Sequence, residues 1–140
     1  KLSKKNKDYL NGFKTSMHFE IAGIPIAVYH GSPVTQDEYV YFDDPDASLF
    51  DGTDARILVL GHTHWPFVTE IDEGTVVNPG SVGQPRDKDP RASFAILTIE
   101  ESGKYDIELR RVEYDVKRTQ DACRKAGFPE QLINWLATGC

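Results

Sequence analysis

A chain of 140 residues, 39% hydrophobic and 11% aromatic, is one domain's worth of an ordinary globular protein. Its net charge of -6 argues against a general nucleic-acid binder, because neutralising phosphates in bulk needs a basic face. Two cysteines, Cys123 and Cys140, do not make a disulfide framework and point to a reducing, cytoplasmic setting, and no apolar run nears the roughly 18 residues of a membrane span.

In chain order, residues 1–12 read as the end of a polar helix stopped at Asn11-Gly12, its lysines forming a solvated face. The only methionine is Met17, so an upstream segment is expected. Residues 17–22 and 24–30 flank Gly23 as a hairpin, and the second arm is rich in β-branched residues. Residues 35–54, acidic and aromatic with Pro45 and Gly52 as breakers, read as a loop with at most short helical pieces. Residues 55–60 are a short apolar run of the kind expected in a strand buried on both faces. Two more hairpins follow, 67–71 with 75–77 and 93–99 with 105–112. Residues 116–126 and 129–136 carry helical spacing on either side of Gly127. These elements predict a mostly antiparallel sheet followed by C-terminal helices.

Three of the four histidines sit where predicted strands end. His62 and His64 follow the apolar run and Gly61; residues two apart on a strand face the same side, so both imidazoles could meet one ion or two adjacent ions. A lone pair of this kind also occurs as ordinary surface residues. His30 ends the hairpin arm before Gly31-Ser32-Pro33 and repeats the arrangement, whereas His18 lies within a strand and reads as structural or surface. Asn78-Pro79-Gly80-Ser81 is a tight turn whose amides could face an anion. Ser81 adds a hydroxyl and Arg86 a guanidinium suited to bidentate phosphate contact; a stiff supporting turn is the alternative, and the stronger one for Ser81.

Taken together, the segments 29–33 (YHGSP), 58–67 (LVLGHTHWPF), 76–86 (VVNPGSVGQPR) and 126–139 (AGFPEQLINWLATG) resemble, in this order, the second half of a calcineurin-like metallophosphoesterase. The nearest likeness is to the small prokaryotic phosphodiesterase branch often labelled diadenosine-tetraphosphatase-related. The resemblance implies the C-terminal half of a four-layer α/β/β/α sandwich, with residues 1–140 forming one partial domain. It also implies phosphoester hydrolysis at a dinuclear centre with a bridging hydroxide. By resemblance, His30 and His62 share one metal and His64 binds the other. The two divalent ions would be Mn, Fe, Ni or Zn, with Mn favoured, and neutral imidazoles suit all four. The family's Asp-x-His, Gly-Asp and Gly-Asn-His elements are missing here, so the isolated chain is expected to be inactive. The substrate would be a phosphoester small molecule or nucleotide, and the open sheet left by the missing portion could pair two copies.

Other families using a His-x-His pair fit less well. A cupin needs a further histidine, and none follows His64. A (β/α)8 barrel needs roughly 250 residues. The rival from another class is a non-catalytic scaffold on the metallophosphoesterase fold, which the retention of all three histidines disfavours.

Overall fold

The computed structural model describes residues 2–140, in which two sheets share an apolar interior. The polar N-terminal helix spans Lys4–Asn11 (α1), with Ser3 accepting the amide of Asn6 at its start and Gly12 at its end. Lys1 lies outside the described residues. The strands are Ser16–Ile21 (β1), Ile24–Tyr29 (β2), Ile57–Val59 (β3), Phe67–Glu70 (β4), Thr75–Asn78 (β5), Ala92–Ile99 (β6) and Tyr105–Val112 (β7). The helices Val116–Lys125 (α2) and Glu130–Thr138 (α3) close the chain, and the 35–54 segment holds only a 3-10 turn at Ala47–Phe50.

The three predicted hairpins form, as β1–β2, β4–β5 and β6–β7. The larger sheet runs β1-β2-β3-β5-β4, and its two central pairings, β2 with β3 and β3 with β5, are parallel. The mostly antiparallel sheet expected from the sequence therefore holds at the flanks and gives way at the centre. Hairpins declare their own antiparallel partner, but a short apolar run carries no sign of its neighbours' direction. The long 30–56 connection is what permits a parallel crossover.

That centre explains why the runs at 24–29, 57–59 and 75–78 lack clean polar alternation. Across β2, β3 and β5, Ala27, Leu58 and Val76 align and pack on one face with Val40, Leu49, Phe50 and Phe67. Ile26, Ile57 and Val77 point the other way, against Ala95, Leu97 and Ile107 of the second sheet. Both faces are covered, as parallel strands require. At the edge, β1 leaves Met17, Phe19 and Ile21 exposed on one side. No helix among the described residues is long and apolar enough to cross a membrane.

Parallel direction also sets the site. The chain leaves β2 at His30, β3 just before Gly61 and β5 at Asn78, so three adjacent strands deliver their carboxyl ends to one edge. Binding groups in α/β sheets gather at such edges.

Candidate metal centre

The amide of Gly61 donates to the carbonyl of His30 at 2.8 Å, and that of Leu60 donates to Val77 at 2.8 Å. These bonds continue the two parallel ladders past the last strand residue and hold the three exits in register. A side chain at Gly61 would press on the His30 carbonyl oxygen, 3.2 Å from where a Cβ would sit.

The two histidines that follow do not lie on a strand. β3 ends at Val59, and His62 and His64 adopt left-handed backbone, with φ of 64° and 58°. Contrary to the expectation from sequence spacing, strand parity is therefore not what turns both imidazoles toward the site. A tight bend does it, closed by the amide of Thr63 donating to the Gly61 carbonyl at 2.7 Å. Left-handed backbone at a non-glycine residue costs about 1–3 kcal/mol and persists only where the surroundings enforce it.

Asn78 supplies the enforcement. Its side chain is fully buried; Nδ2 donates to the Gly61 carbonyl at 2.7 Å and to Thr63 Oγ1 at 2.9 Å. Its Oδ1 accepts from the Gly80 amide at 2.9 Å. One amide side chain thus ties the His62–His64 bend to the 78–81 turn, which packs beside it as the β4–β5 pairing predicts. Gly80 has a φ of 81°, and a Cβ there would lie 2.8 Å from both Cβ and Oγ of Ser93. Gly80→Val is expected to lower unfolding stability by roughly 1–3 kcal/mol, read as a shift in urea midpoint. A loss below about 0.5 kcal/mol, the scatter of ordinary surface substitutions, would show that the turn relaxes freely.

His30 and His62 come together, and His64 stands apart from them, bonded to the Gln84 carbonyl. His62 Nδ1 faces His30 Nε2 at 3.0 Å, and the ring centroids are 4.8 Å apart. The two rings hydrogen-bond to each other at this distance, and two nitrogens bound about 2.1 Å from one ion at about 90° would also lie about 3.0 Å apart. His64 stands differently: its Nδ1 donates to the Gln84 carbonyl at 2.7 Å, which leaves Nε2 as its free nitrogen. A backbone acceptor of this kind fixes the tautomer of a metal-binding histidine. Burial lowers the pKa of His64, as do the charges of Arg86, His62 and His30, against the opposing pull of the Gln84 carbonyl. The ring consequently stays neutral and able to ligate below the pH at which a free histidine protonates. Among the described residues, no three His, Cys, Asp or Glu side chains are placed to hold an ion together.

The remaining expected site residues separate. Arg86 is exposed, acts electrostatically on His64, and makes no side-chain hydrogen bond or ion pair among the described residues. Ser81 is committed to its own turn, its Oγ accepting from the amides of Gly83 and Gln84 at 3.4 and 2.9 Å. The turn-supporting role is the one its geometry favours. His18 lies on the surface against Tyr29, its Nε2 3.2 Å from the hydroxyl and the two rings edge to face. Two contributors escape the sequence pattern: Tyr39, whose ring packs 4.1 Å from that of His62, and the carbonyl of Gln84. The alternation of Tyr39, Val40 and Tyr41 is the available signal for the first. A backbone acceptor has none.

The fold has counterparts among solved structures, and the sequence has relatives among curated proteins. A metallophosphoesterase from Sphaerobacter thermophilus superposes with a TM-score of 0.83 at 33% identity, over 99% of this chain and 63% of that one. A hypothetical protein from Pyrococcus horikoshii shares the fold with a TM-score of 0.80 at 24% identity, over 97% of this chain and 55% of that one. Among curated proteins, an uncharacterized protein of Methanocaldococcus jannaschii is 30% identical over 99% of this chain and 61% of its own length. A probable metallophosphoesterase of Methanothermobacter thermautotrophicus is 32% identical over 81% of this chain and 63% of its own. The chain thus spans under two thirds of these relatives. Residues 2–102 match the sequence profile of the calcineurin-like phosphoesterase superfamily domain, and the chain belongs to that superfamily.

Proposed function

We propose that this chain supplies three imidazole ligands to a phosphoester-hydrolysing centre of two divalent ions, whose carboxylate ligands come from residues outside 1–140. The observation that carries this is the facing of His30 Nε2 and His62 Nδ1 at 3.0 Å, a spacing suited to one ion, beside a separate His64 with Nε2 free. Neutral imidazoles suit Mn, Fe, Ni or Zn, and Mn is the first to test. When bound, a pair of such ions neutralises charge on the phosphoryl oxygens and provides an ionised water near neutral pH.

The chain's own side chains divide the remaining work. His30 and His62 are the ligands of one ion and His64 of the other, with Gln84 orienting the last ring. Arg86, without an acidic partner among the described residues, binds a phosphate oxygen of the ester. Ser81 shapes the turn that carries the 81–86 segment past His64. One or two imidazoles per ion, with no bridging carboxylate, make a weak site, because affinity follows ligand number and charge.

The test sets residues 1–140 beside the longer protein that contains them, each with added Mn²⁺, measuring bound metal and hydrolysis of bis(p-nitrophenyl) phosphate. The longer protein is expected to bind close to two ions and turn over, and the 140-residue chain to bind less than one ion and show negligible turnover. Comparable turnover by the short chain would overturn the division of ligands. A longer protein that neither binds metal nor hydrolyses the ester would point to the scaffold reading.

A further inference from the structure

We propose that the exposed rings of Tyr39 and Tyr41 form a subsite for a nucleobase of the ester, beside the imidazoles; this rests on the phosphoester reading above. Residues 39–41 lie outside helix and strand; the rings of Tyr39 and Tyr41 stack on one side while Val40 is buried in the core at 4% exposure. The two tyrosines are 48% and 38% exposed, their planes only 21° apart and their centroids 6.4 Å apart. Tyr39 also packs against His62, so the aromatic patch begins at the candidate metal ligand itself.

The patch is held in place. The Tyr41 amide donates to Asp44 Oδ2 at 2.7 Å, and Thr69 Oγ1 donates to the Phe42 carbonyl at 2.9 Å. Upstream, the Ser32 hydroxyl donates to Glu38 and ties the segment back to the turn after His30. Large rings exposed to water contribute little to the core, and a backbone tied down around them lessens the freedom lost when a ligand ring stacks on them.

Charge selects among flat and charged ligands. The stretch from 37 to 46 carries Asp37, Glu38, Asp43, Asp44 and Asp46 and no lysine or arginine, so it repels a further phosphate while accepting a neutral ring. Arg86, near His64, is left for the phosphoryl group. The ester is thereby oriented with its phosphate over the imidazoles and its base over the tyrosines. Stacking on an aromatic side chain accepts every base, since each has a π-face, so the subsite recognises nucleotides as a class.

Binding of adenosine 5′-monophosphate, ribose 5-phosphate and adenosine to the longer protein that contains residues 1–140, followed by ligand-observed NMR titration, tests this. The nucleotide is expected to bind about tenfold more tightly than ribose 5-phosphate. Tyr41→Ala is expected to erase most of that advantage and Tyr41→Phe to keep it; Tyr41 is the informative position because Tyr39 touches His62. Equal binding of nucleotide and sugar phosphate, or an advantage that survives Tyr41→Ala, overturns the subsite and leaves the phosphoester reading standing. Adenosine binding that depends on Tyr41 with no gain from the phosphate supports a ring site and overturns the phosphate placement instead. Absence of binding by all three ligands overturns the subsite as well.

Discussion

Replacing His62 with alanine in the longer protein is expected to lower Mn²⁺ affinity by at least about 100-fold. Changes to residues that merely orient a ligand cost about 10–100-fold, so loss of a ligand itself belongs at or beyond the upper end. His62 is the sharper choice over His30 because it touches more of the site: His30 on one side at 3.0 Å and the ring of Tyr39 on the other. Competition against a chromophoric chelator reads the change. His18→Ala is the matched control, since that ring packs on Tyr29 at the surface away from the site, and it should leave affinity within about threefold. The backbone offers a second handle, because His62 sits at φ 64°. A glycine there accepts that conformation without a Cβ penalty, so His62→Gly should be more stable than His62→Ala by about 1 kcal/mol while binding metal no better. Metal affinity retained in both variants would remove His62 from the ligand set. Equal stability of the two would remove the strain argument.

Much of this site is legible in the amino-acid sequence, for a physical reason. Strand exits are marked by an apolar run followed by Gly, Pro and small polar residues, and His30, Gly61 and Asn78 each sit at one. Side-chain chemistry is local, so the candidate imidazoles and Arg86 stand out by residue type. Two other matters are hidden because they depend on distant segments. The first is strand direction: nothing within Ile57–Val59 says that both its neighbours run parallel to it. That fact is what brings three exits to one edge. The second is backbone conformation. Gly80 advertises its positive φ by being glycine, but His62 and His64 adopt the same region, uncommon outside glycine, which a pattern built on strand alternation cannot foresee. The acidic, aromatic loop reads as irregular, and it is, apart from one 3-10 turn. Its placement of Tyr39 against His62 follows from burial of the neighbouring Val40, which anchors this loop in the core together with Leu49 and Phe50.

Asn78 is where fold and site depend on one side chain, and Asn78→Ala is expected to destabilise the chain by about 3 kcal/mol. The substitution removes three hydrogen bonds worth about 1 kcal/mol each; the Gly61 carbonyl and Thr63 hydroxyl keep one weaker-placed partner each, and the Gly80 amide must find another. Against a total stability of about 5–15 kcal/mol for a domain, that is a large share. Asn78→Asp should fare no better, because oxygen in place of the amide NH₂ turns an acceptor toward the Gly61 carbonyl and buries charge without a cation. The effect should exceed that of a plain core truncation in kind as well as size. Val76→Ala opens a cavity on the opposite face of the sheet from Val77 but leaves the His62–His64 bend tied down. Only loss of Asn78 releases the strained bend, so folded Asn78→Ala protein should also bind Mn²⁺ more weakly while folded Val76→Ala protein should not. Should Asn78→Ala fail to fold, Thr63→Val gives the smaller version: one acceptor removed from a buried position, an expected loss of about 1–2 kcal/mol, and the same direction in metal affinity. A cost under about 1 kcal/mol for Asn78→Ala, less than one net hydrogen bond, or unchanged metal affinity in both variants, would mean that the bend holds its left-handed residues by some other means.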